Sequence, residues 1–249
     1  MIGGIGYYYI QPKATYEIIK NFRYFYPLNS LVMINDGGKE EISDIATMFQ
    51  AVYHPYVKNI GFGSNSDDIQ IIVEWIERFF RALEYIKEEY FIILEDDVLI
   101  LQEIDVFKIK GDMFGYNPNA LLPEKVTDYL KQYNSKIKDT RIWYTGCGGC
   151  IMKKETFKNI SKQNWKEELL TYAELSKRNN KNEQSWYFQD CSLSFLCWRY
   201  GGTIEQNDEW GELNTQEGIN KLRENRLTIL HQYKENFNKP YLSGNISVI

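Results

Sequence analysis

The sequence predicts an α/β protein in which helices flank a mostly parallel central sheet. In the first hundred residues, short apolar runs alternate with longer amphipathic segments, as in parallel strands joined by crossover helices. The chain has 249 residues, of which 43 % are apolar, so it is long enough for one large core. Since no internal repeat and no linker rich in Pro, Gly or Ser interrupts it, we expect a single domain.

The first half supplies the strands and helices of the predicted sheet. Strands are expected at 5–10, 30–36, 59–63 and 91–94, and helices at 14–27, 39–53 and 66–90. Pro27 ends the first helix, and the turn sequence Asp36-Gly37-Gly38 ends the second strand. Ser66 is the expected N-cap of the third helix.

The second half is less regular. We expect a strand pair and a surface helix within 102–140, then a glycine-rich turn beside a strand and a helix start within 141–157. Helical spacing continues up to Leu175, and a further helix is expected from Cys191 to the Gly201-Gly202 stop. A short strand is expected at 203–208, and another strand opens the segment 227–241.

Charge and hydropathy exclude several classes of protein. The net charge of −5 argues against nucleic acid as a partner. The N-terminus lacks the basic and apolar regions of a secretory signal, and no run approaches the roughly 20 apolar residues of a membrane span. We therefore expect a soluble, cytoplasmic protein.

The cysteines allow two interpretations. Cys147 and Cys150 form a C-x-x-C pair, which is typical of redox or zinc sites. The other two, Cys191 and Cys197, do not form a second closely spaced pair, and the first pair does not open a helix after an early strand. Buried reduced thiols are the favoured interpretation.

The most informative stretch is "YFIILEDDVLIL" at residues 90–101, where an apolar strand runs into Glu95, Asp96 and Asp97. Adjacent carboxylates repel, and burying them unpaired costs several kcal/mol each. The flanking residues supply no cation, whereas a divalent ion such as Mg²⁺ or Mn²⁺ binds carboxylate oxygens. The alternative is a solvated acidic turn.

The acidic run and Asp36 both follow strands of the predicted sheet. The carboxyl ends of parallel strands meet at one edge, where ligands bind in such folds. Side chains alternate along a strand, so Glu95 and Asp97 share one side and Asp96 takes the other. We therefore expect a ligand site at this edge.

These residues carry a resemblance to a known family. A strand ending "ILEDDV", about sixty residues after a strand ending "INDGG", resembles the GT-A nucleotide-sugar glycosyltransferases. In that family a D-x-D-type run binds ribose and a divalent metal, and this chain has Glu95-Asp96-Asp97 in its place, with Glu first. The resemblance implies Asp97 and Glu95 as metal ligands and Asp36 as a contact to the base, although Asp36 is also explained as a turn residue.

The resemblance extends through residues 5–241. "TGCGGCIMKKETF" is similar to the glycine-rich turn beside the donor sugar and acceptor, which implies Gly148 and Gly149. "FQDCSLSFLCWRYGG" is similar to the segment that carries the general base, which implies Asp190 with Gln189 before it; an N-cap role for Asp190 is the alternative. "LHQYKENFNKPY" is similar to the tail whose histidine completes the metal site, which implies His231, with Lys234 and Lys239 near the diphosphate.

The implied activity is transfer of a sugar from a nucleoside diphosphate donor, with UDP the first choice, to an acceptor hydroxyl of a carbohydrate or glycan. Mn²⁺ or Mg²⁺ is the implied cofactor, and Asp190 favours inversion over retention. Residues 1–100 form the nucleotide-binding half and 101–249 the donor-sugar and acceptor half. The nucleotide contacts are assigned to Tyr9, Ile10, Gln11, Asp36, Arg78, Glu95 and Asp96.

Three alternatives stay open. The tail also resembles that of some retaining transferases. A nucleotidyltransferase or sugar-nucleotide pyrophosphorylase shares the sheet and the acidic ligands, but "GYYYIQPKATY" lacks its glycine-rich basic loop. The third is a carbohydrate-binding module that has a fold of this type but no catalytic activity. For Arg78, the alternative to a nucleotide contact is a solvent-facing residue of its helix.

Overall fold

The computed structural model describes residues 1–38, 40–60, 68–115, 121–139, 142, 145, 148–176, 189–213 and 215–231, with the backbone alone at 189–190. The first half contains β1 (Ile2–Tyr8), α1 (Pro12–Phe25), β2 (Leu31–Asp36), α2 (Glu41–Met48), β3 (Val52–Tyr56), α3 (Ile69–Leu83) and β4 (Tyr90–Leu94). The second half contains β5 (Leu99–Ile100), β6 (Met113–Gly115), α4 (Glu124–Lys131), β7 (Ile151–Lys153), α5 (Lys154–Ile160), α6 (Trp165–Ser176), α7 (Gln189–Arg199), β8 (Ile204–Gln206), β9 (Trp210–Glu212), α8 (Gln216–Arg223) and β10 (Ile229–His231).

Among the described residues, the central sheet has seven strands in the order β3-β2-β1-β4-β7-β6-β8. The four strands of the first half run parallel to one another, while β7 runs antiparallel to both β4 and β6, and β8 is parallel to β6. The predicted α/β class with a mostly parallel central sheet is therefore confirmed. A second sheet, β5-β10-β9, has three strands.

Helices cover both faces of the central sheet, which explains why its inner strands are largely apolar. Every residue of β1 and of β2 is buried, as expected for parallel strands covered on both sides. One face packs against α3 through Trp75 and Phe79, and the other packs against α1 and α2 through Phe22 and Ile42. The carboxyl edge of β1, β2 and β4 is left between these layers.

The third strand was predicted in the wrong place. The helix expected over 39–53 ends at Met48, since Gln50 takes a positive φ of 52°, and the strand follows at Val52–Tyr56. The sequence analysis placed it at 59–63, a range that lies outside the described residues beyond 60. Pro55 lies within β3 and is tolerated because β3 is an edge strand.

The third helix is shorter than predicted at both ends. Ser66 lies outside the described residues, and Asp68 is the N-cap, accepting a hydrogen bond from the backbone N–H of Gln70 at 2.9 Å. The helix ends at Leu83 rather than at residue 90. Beyond Leu83 the chain turns toward β4. The buried Ile86 and a hydrogen bond from the Ser30 backbone N–H to the Glu88 carboxylate hold this connection.

Two composition-based expectations can be compared with the fold. Cys150, Cys191 and Cys197 are buried thiols, whereas Cys147 lies outside the described residues. Of the helices that the structure describes, none combines the length and the apolar character that crossing a membrane requires.

Candidate metal centre

The small sheet brings a distant histidine to the acidic run. The chain turns directly after β4, where the Val98 N–H donates to the Glu95 carbonyl at 3.2 Å, and then enters β5. Strand β10 pairs antiparallel with β5, with Leu230 opposite Leu99. His231 is the next residue of β10, so it lies beside a turn that is more than a hundred positions earlier in the chain.

Glu95, Asp97 and His231 form a cluster whose geometry fits a cation. His231 Nε2 lies 3.6 Å from Glu95 Oε2 and 3.6 Å from Asp97 Oδ1, and one potential ligand atom from each residue lies within 4.8 Å of the others. Asp97 and His231 are each 8 % exposed. Two carboxylates and an imidazole are a donor set that Mn²⁺ and related divalent ions accept.

His231 is under strong electrostatic influence. Burial by itself lowers the pKa of His231, but the facing carboxylates of Glu212, Glu95 and Asp97 outweigh burial and raise that pKa to about 10. Within the described part of the chain, neither buried ring nitrogen makes a hydrogen bond. Three carboxylates around one buried imidazole concentrate negative charge at a single place, and a divalent cation bound there would compensate that charge.

Two neighbours of His231 were not found by the sequence analysis. The Trp210 ring lies against the His231 ring, with centroids 5.2 Å apart and an interplanar angle of 35°. Glu212 Oε1 lies 3.7 Å from His231 Nδ1. The alternation of Trp210 and Glu212 in "EWGEL" was a readable strand signal, but its parallel pairing with β10 was not.

The glycine-rich turn packs directly against the acidic run. A Cβ on Gly148 would lie 3.0 Å from Glu95 Cδ and 2.5 Å from Val98 Cγ2. Gly149 has a φ of +84°, and its N–H donates to the Ile93 carbonyl at 2.8 Å. Only glycine suits both positions, because one has no room for a side chain and the other has a left-handed backbone as well.

The same turn is tied to the ring that packs on His231. Trp210 Nε1 donates to the Gly148 carbonyl at 3.2 Å, and a Cβ on Gly149 would lie 2.7 Å from that nitrogen. The structure therefore brings together Gly148, Gly149, Glu95, Asp97 and His231, five of the residues that the sequence analysis selected.

Asp36 and Arg78 were both predicted to contact the nucleotide, and in the structure they form an ion pair with each other. They are 3 % and 2 % exposed, and Arg78 Nη1 lies 2.5 Å from Asp36 Oδ1. Arg78 also pairs with Glu74 and lies 4.0 Å from the centre of the Tyr56 ring. The solvent-facing interpretation of Arg78 was wrong, because its guanidinium neutralises a carboxylate at the end of a buried strand.

The segment after β1 lies at the same edge. Tyr9 and Ile10 are 40 % and 52 % exposed, and Gln11 is the N-cap residue of α1 without a side-chain hydrogen bond. Gly38 packs against Tyr9, since a Cβ there would lie 1.8 Å from the Tyr9 carbonyl oxygen.

Tyr8 is a further neighbour that the sequence analysis did not select. Burial raises the pKa of its phenol well above the usual value, and the charges of Asp96 and Glu95 raise it further. Asp96 therefore lies close to the end of β1. Tyr8 is the last residue of β1, so the acidic run lies close to the segment after β1 that was predicted to contact the nucleotide.

Four of the predicted residues have no described side chain. Lys234 and Lys239 lie outside the described residues, and the side chains of Gln189 and Asp190 do as well. The described part of α7 starts at Gln189, and the backbone of Asp190 is helical. The alternative that Asp190 is the N-cap of a helix beginning at Cys191 was wrong.

No family model matches the sequence, and no curated protein matches it. Among solved structures, the chain is similar to the crystal structure of the galactosyltransferase LgtC in complex with donor and acceptor sugar analogs, at 14 % identity and a TM-score of 0.48, covering 92 % of this chain and 86 % of that chain. It is also similar to an active-site mutant of LgtC, at 14 % identity, a TM-score of 0.46 and the same coverage.

Proposed function

We propose that this protein is a metal-dependent glycosyltransferase that moves a sugar from a nucleoside diphosphate donor, UDP being the first choice, to an acceptor hydroxyl of a carbohydrate. The observation that carries the proposal is the cluster of Glu95, Asp97 and His231, whose potential ligand atoms lie within 4.8 Å of one another. The cluster lies just beyond the carboxyl end of β4, at the edge where mostly parallel sheets bind ligands.

The residues of the cluster have distinct roles. Glu95, Asp97 and His231 hold Mn²⁺ or Mg²⁺ through two carboxylates and one ring nitrogen. When bound, the ion supplies electrostatic stabilisation of the negative charge that develops on the leaving diphosphate. Asp96, in the turn that follows β4, is assigned to the donor, whose hydroxyl groups would donate hydrogen bonds to its carboxylate.

The glycine turn supports this assignment sterically. Gly148 presents no side chain toward Glu95, so backbone rather than a side chain borders the acidic run. Gly148 and Gly149 are therefore assigned to the backbone wall of the donor-sugar site. Lys234 and Lys239 are assigned to the diphosphate by their positive charge.

Asp190 is assigned as the general base of an inverting reaction. It takes the proton of the acceptor hydroxyl as that oxygen attacks the anomeric carbon. Gln189, its neighbour in α7, is assigned to the sugar. The anomeric configuration of the product, read by NMR, distinguishes inversion from retention.

The decisive experiment is a thermal-shift screen of UDP-, GDP- and dTDP-sugars with and without Mn²⁺, since a ligand raises the melting temperature only when it binds the folded state. We expect one class of donor to raise the melting temperature, and only with Mn²⁺ present. A screen in which no sugar nucleotide shifts the melting temperature under either condition contradicts the proposal.

The matched variants are Asp97→Asn, which removes a ligand, and Glu103→Gln, which removes an exposed carboxylate six positions later. Metal-dependent hydrolysis of the bound donor should fall by about 100-fold or more in Asp97→Asn, because metal stabilisation is worth several kcal/mol and about 1.4 kcal/mol is tenfold. Glu103→Gln should keep wild-type turnover. Consumption of a nucleoside triphosphate plus a sugar phosphate would indicate a pyrophosphorylase instead, and binding without any turnover a non-catalytic module.

A further inference from the structure

Glu212 is fixed beside His231 by strand pairing. Strands β9 and β10 are parallel and in register, with Trp210 opposite Ile229 and Glu212 opposite His231. Directly paired residues of neighbouring strands project to the same side of a sheet. The short sheet therefore places the Glu212 carboxylate against the His231 ring, independently of the acidic run.

The two nitrogens of the His231 ring face different carboxylates. Nε2 lies 3.6 Å from Glu95 and 3.6 Å from Asp97, whereas Nδ1 lies 3.7 Å from Glu212. Since Nδ1 and Nε2 are at separate corners of the ring, Glu212 is not on the same side as the other two. One edge of the ring faces the candidate metal centre, and the other faces a carboxylate outside it.

The ring is also held in its plane. Trp210 packs against it at 5.2 Å, and the Trp210 indole is itself tied to the Gly148 carbonyl. Rotation of the ring would exchange its nitrogen and carbon positions and turn Nε2 away from Glu95 and Asp97. A hydrogen bond from Nδ1–H to a fixed carboxylate would oppose this rotation as well.

Among the ion pairs of the described residues, the Glu212 carboxylate is paired with the His231 ring, and no lysine or arginine takes that place. The Glu212 side chain is 31 % exposed, so it has room to move toward the ring. At 3.7 Å the contact is roughly 0.8 Å longer than an N–H···O hydrogen bond. A small inward movement of one side chain is enough to form that bond.

We infer that Glu212 is the positioning residue of the metal centre: it accepts the Nδ1 proton of His231, which leaves Nε2 deprotonated and directed at the cation. A histidine that binds a metal through one nitrogen carries its remaining proton on the other, and the group that accepts this proton selects the tautomer. This inference rests on the proposed function, because it assumes that the cluster binds a divalent ion.

The test is calorimetric titration of the full-length, chelator-treated protein with Mn²⁺ alone. Glu212→Ala should weaken Mn²⁺ binding by about 10- to 100-fold, the usual loss when an outer partner of a histidine ligand is removed. Glu212→Gln should stay within a few-fold of the wild type, because its amide oxygen still accepts from Nδ1–H. The control is Asp208→Asn, which removes an exposed carboxylate just before β9.

Each outcome bears on the inference. Equal affinity of Glu212→Ala and the wild type overturns it. Equal losses in Glu212→Ala and Glu212→Gln overturn it as well, since they would mean that the charge of Glu212, not its acceptor position, matters. Absence of Mn²⁺ binding by the wild type overturns both this inference and the metal site of the proposed function, whereas a wild type that binds normally confines any failure to Glu212.

A second measurement reads the tautomer directly. The chain has two histidines, His54 and His231, so the imidazole signals of ¹⁵N-labelled protein are readily assigned. With Zn²⁺ as a diamagnetic substitute, His231 should carry its proton on Nδ1, with Nε2 shifted by the metal. A His231 that keeps its proton on Nε2 in the loaded wild type overturns the inference.

Discussion

At the scale of single residues, the candidate site depends on positions where a side chain is either absent or fully committed. Gly148 and Gly149 lie where a Cβ would meet Glu95, Val98, Ile229 or Trp210. Arg78 and Asp36 are committed to each other at the end of β2. The space and the charge at the carboxyl edge of the sheet therefore depend on these glycines and on this ion pair.

The chain offers a matched pair of glycines for measuring the packing contribution. Gly149 and Gly201 both have a positive φ, of 84° and 80°, but a Cβ on Gly149 would lie 2.6 Å from Ile229 Cγ2, whereas nothing lies within 4 Å of a Cβ on Gly201. Gly201→Ala should lose about 1 kcal/mol of stability from backbone strain alone. Gly149→Ala should lose about 1–3 kcal/mol more, from overpacking.

Urea unfolding of the two glycine variants measures the difference. Mn²⁺ binding should also weaken in Gly149→Ala, since Trp210 must move to admit the new methyl group. Equal losses of stability in both variants would mean that the Trp210 and Ile229 contacts yield without cost.

The buried Asp36–Arg78 pair makes a second residue-scale prediction. Arg78→Met should lower the free energy of unfolding by about 3–5 kcal/mol, because it leaves the buried Asp36 carboxylate without its cation. Glu74→Gln should cost at most about 1 kcal/mol, since the Glu74 side chain is 37 % exposed and its charge is solvated.

Chemical denaturation of both variants and of the double variant Asp36→Asn/Arg78→Met provides the measurement. The double variant should recover part of the loss, because no charge is then left uncompensated. A loss below about 1 kcal/mol in Arg78→Met would show that Arg78 is held for ligand binding rather than for Asp36.

At the scale of secondary-structure elements, the important event is the meeting of two sheets. β4 belongs to the central sheet and β10 to the small one, and β5, which directly follows the acidic run, pairs with β10. The cluster therefore forms only when both sheets are in place. Residues that fix where the chain enters β4 therefore influence the positions of Glu95 and Asp97 indirectly.

Glu88 holds the chain just before β4, and its carboxylate makes the stability of the protein depend on pH. Burial acts to raise the pKa of Glu88, but hydrogen bonds from Ser30 and from the Lys87 backbone N–H outweigh burial and lower it from 4.5. A carboxylate whose pKa is lowered on folding stabilises the protein above its unfolded pKa, and this contribution is lost as the pH falls through the folded pKa. Glu88→Gln should therefore melt below the wild type at pH 7, and the two should converge toward pH 3.

Thermal melts between pH 3 and pH 7 measure this gap. The control is Glu89→Gln, an exposed neighbour, whose melting temperature should follow the wild type throughout. A gap between Glu88→Gln and the wild type that is the same at pH 3 and pH 7 would refute the role of the carboxylate charge.

At the scale of the whole molecule, a bound ion would join the two sheets. Glu95 and Asp97 follow β4, and His231 ends β10, so the ligands come from positions far apart in the chain. An ion that binds the folded state alone stabilises it by about 2.7 kcal/mol at a concentration of 100 times Kd. The stabilisation should be largest for the strands where the two sheets meet.

Hydrogen exchange with and without Mn²⁺ makes this prediction measurable. Amides of β5, β9 and β10 should exchange more slowly with Mn²⁺ than with a chelator, whereas amides of α4 should not change. His231→Asn should abolish the protection, and His54→Asn should keep it. Protection spread evenly over the chain, or absent from β10, would contradict a site that joins the sheets.

The parallel part of the fold was readable from the sequence because its signals are local. The apolar runs of β1, β2 and β4 and the amphipathic spacing of α1 and α3 are properties of consecutive residues. The edge strand β3 was missed because its residues are only partly buried and contain Pro55, so pairing with β2 decided it. The division of the chain into a nucleotide half and an acceptor half stays a prediction.

The sequence by itself determined the α/β class, the acidic run at the end of a buried strand and the glycine turn, since each follows from the period, charge or size of neighbouring residues. Only the tertiary structure decided that Arg78 neutralises Asp36 and that Glu212 and Trp210 flank His231. Those outcomes depend on which strands pair and in what register. Pairing is set by contacts between residues far apart in the chain, and a local pattern does not specify its own partner.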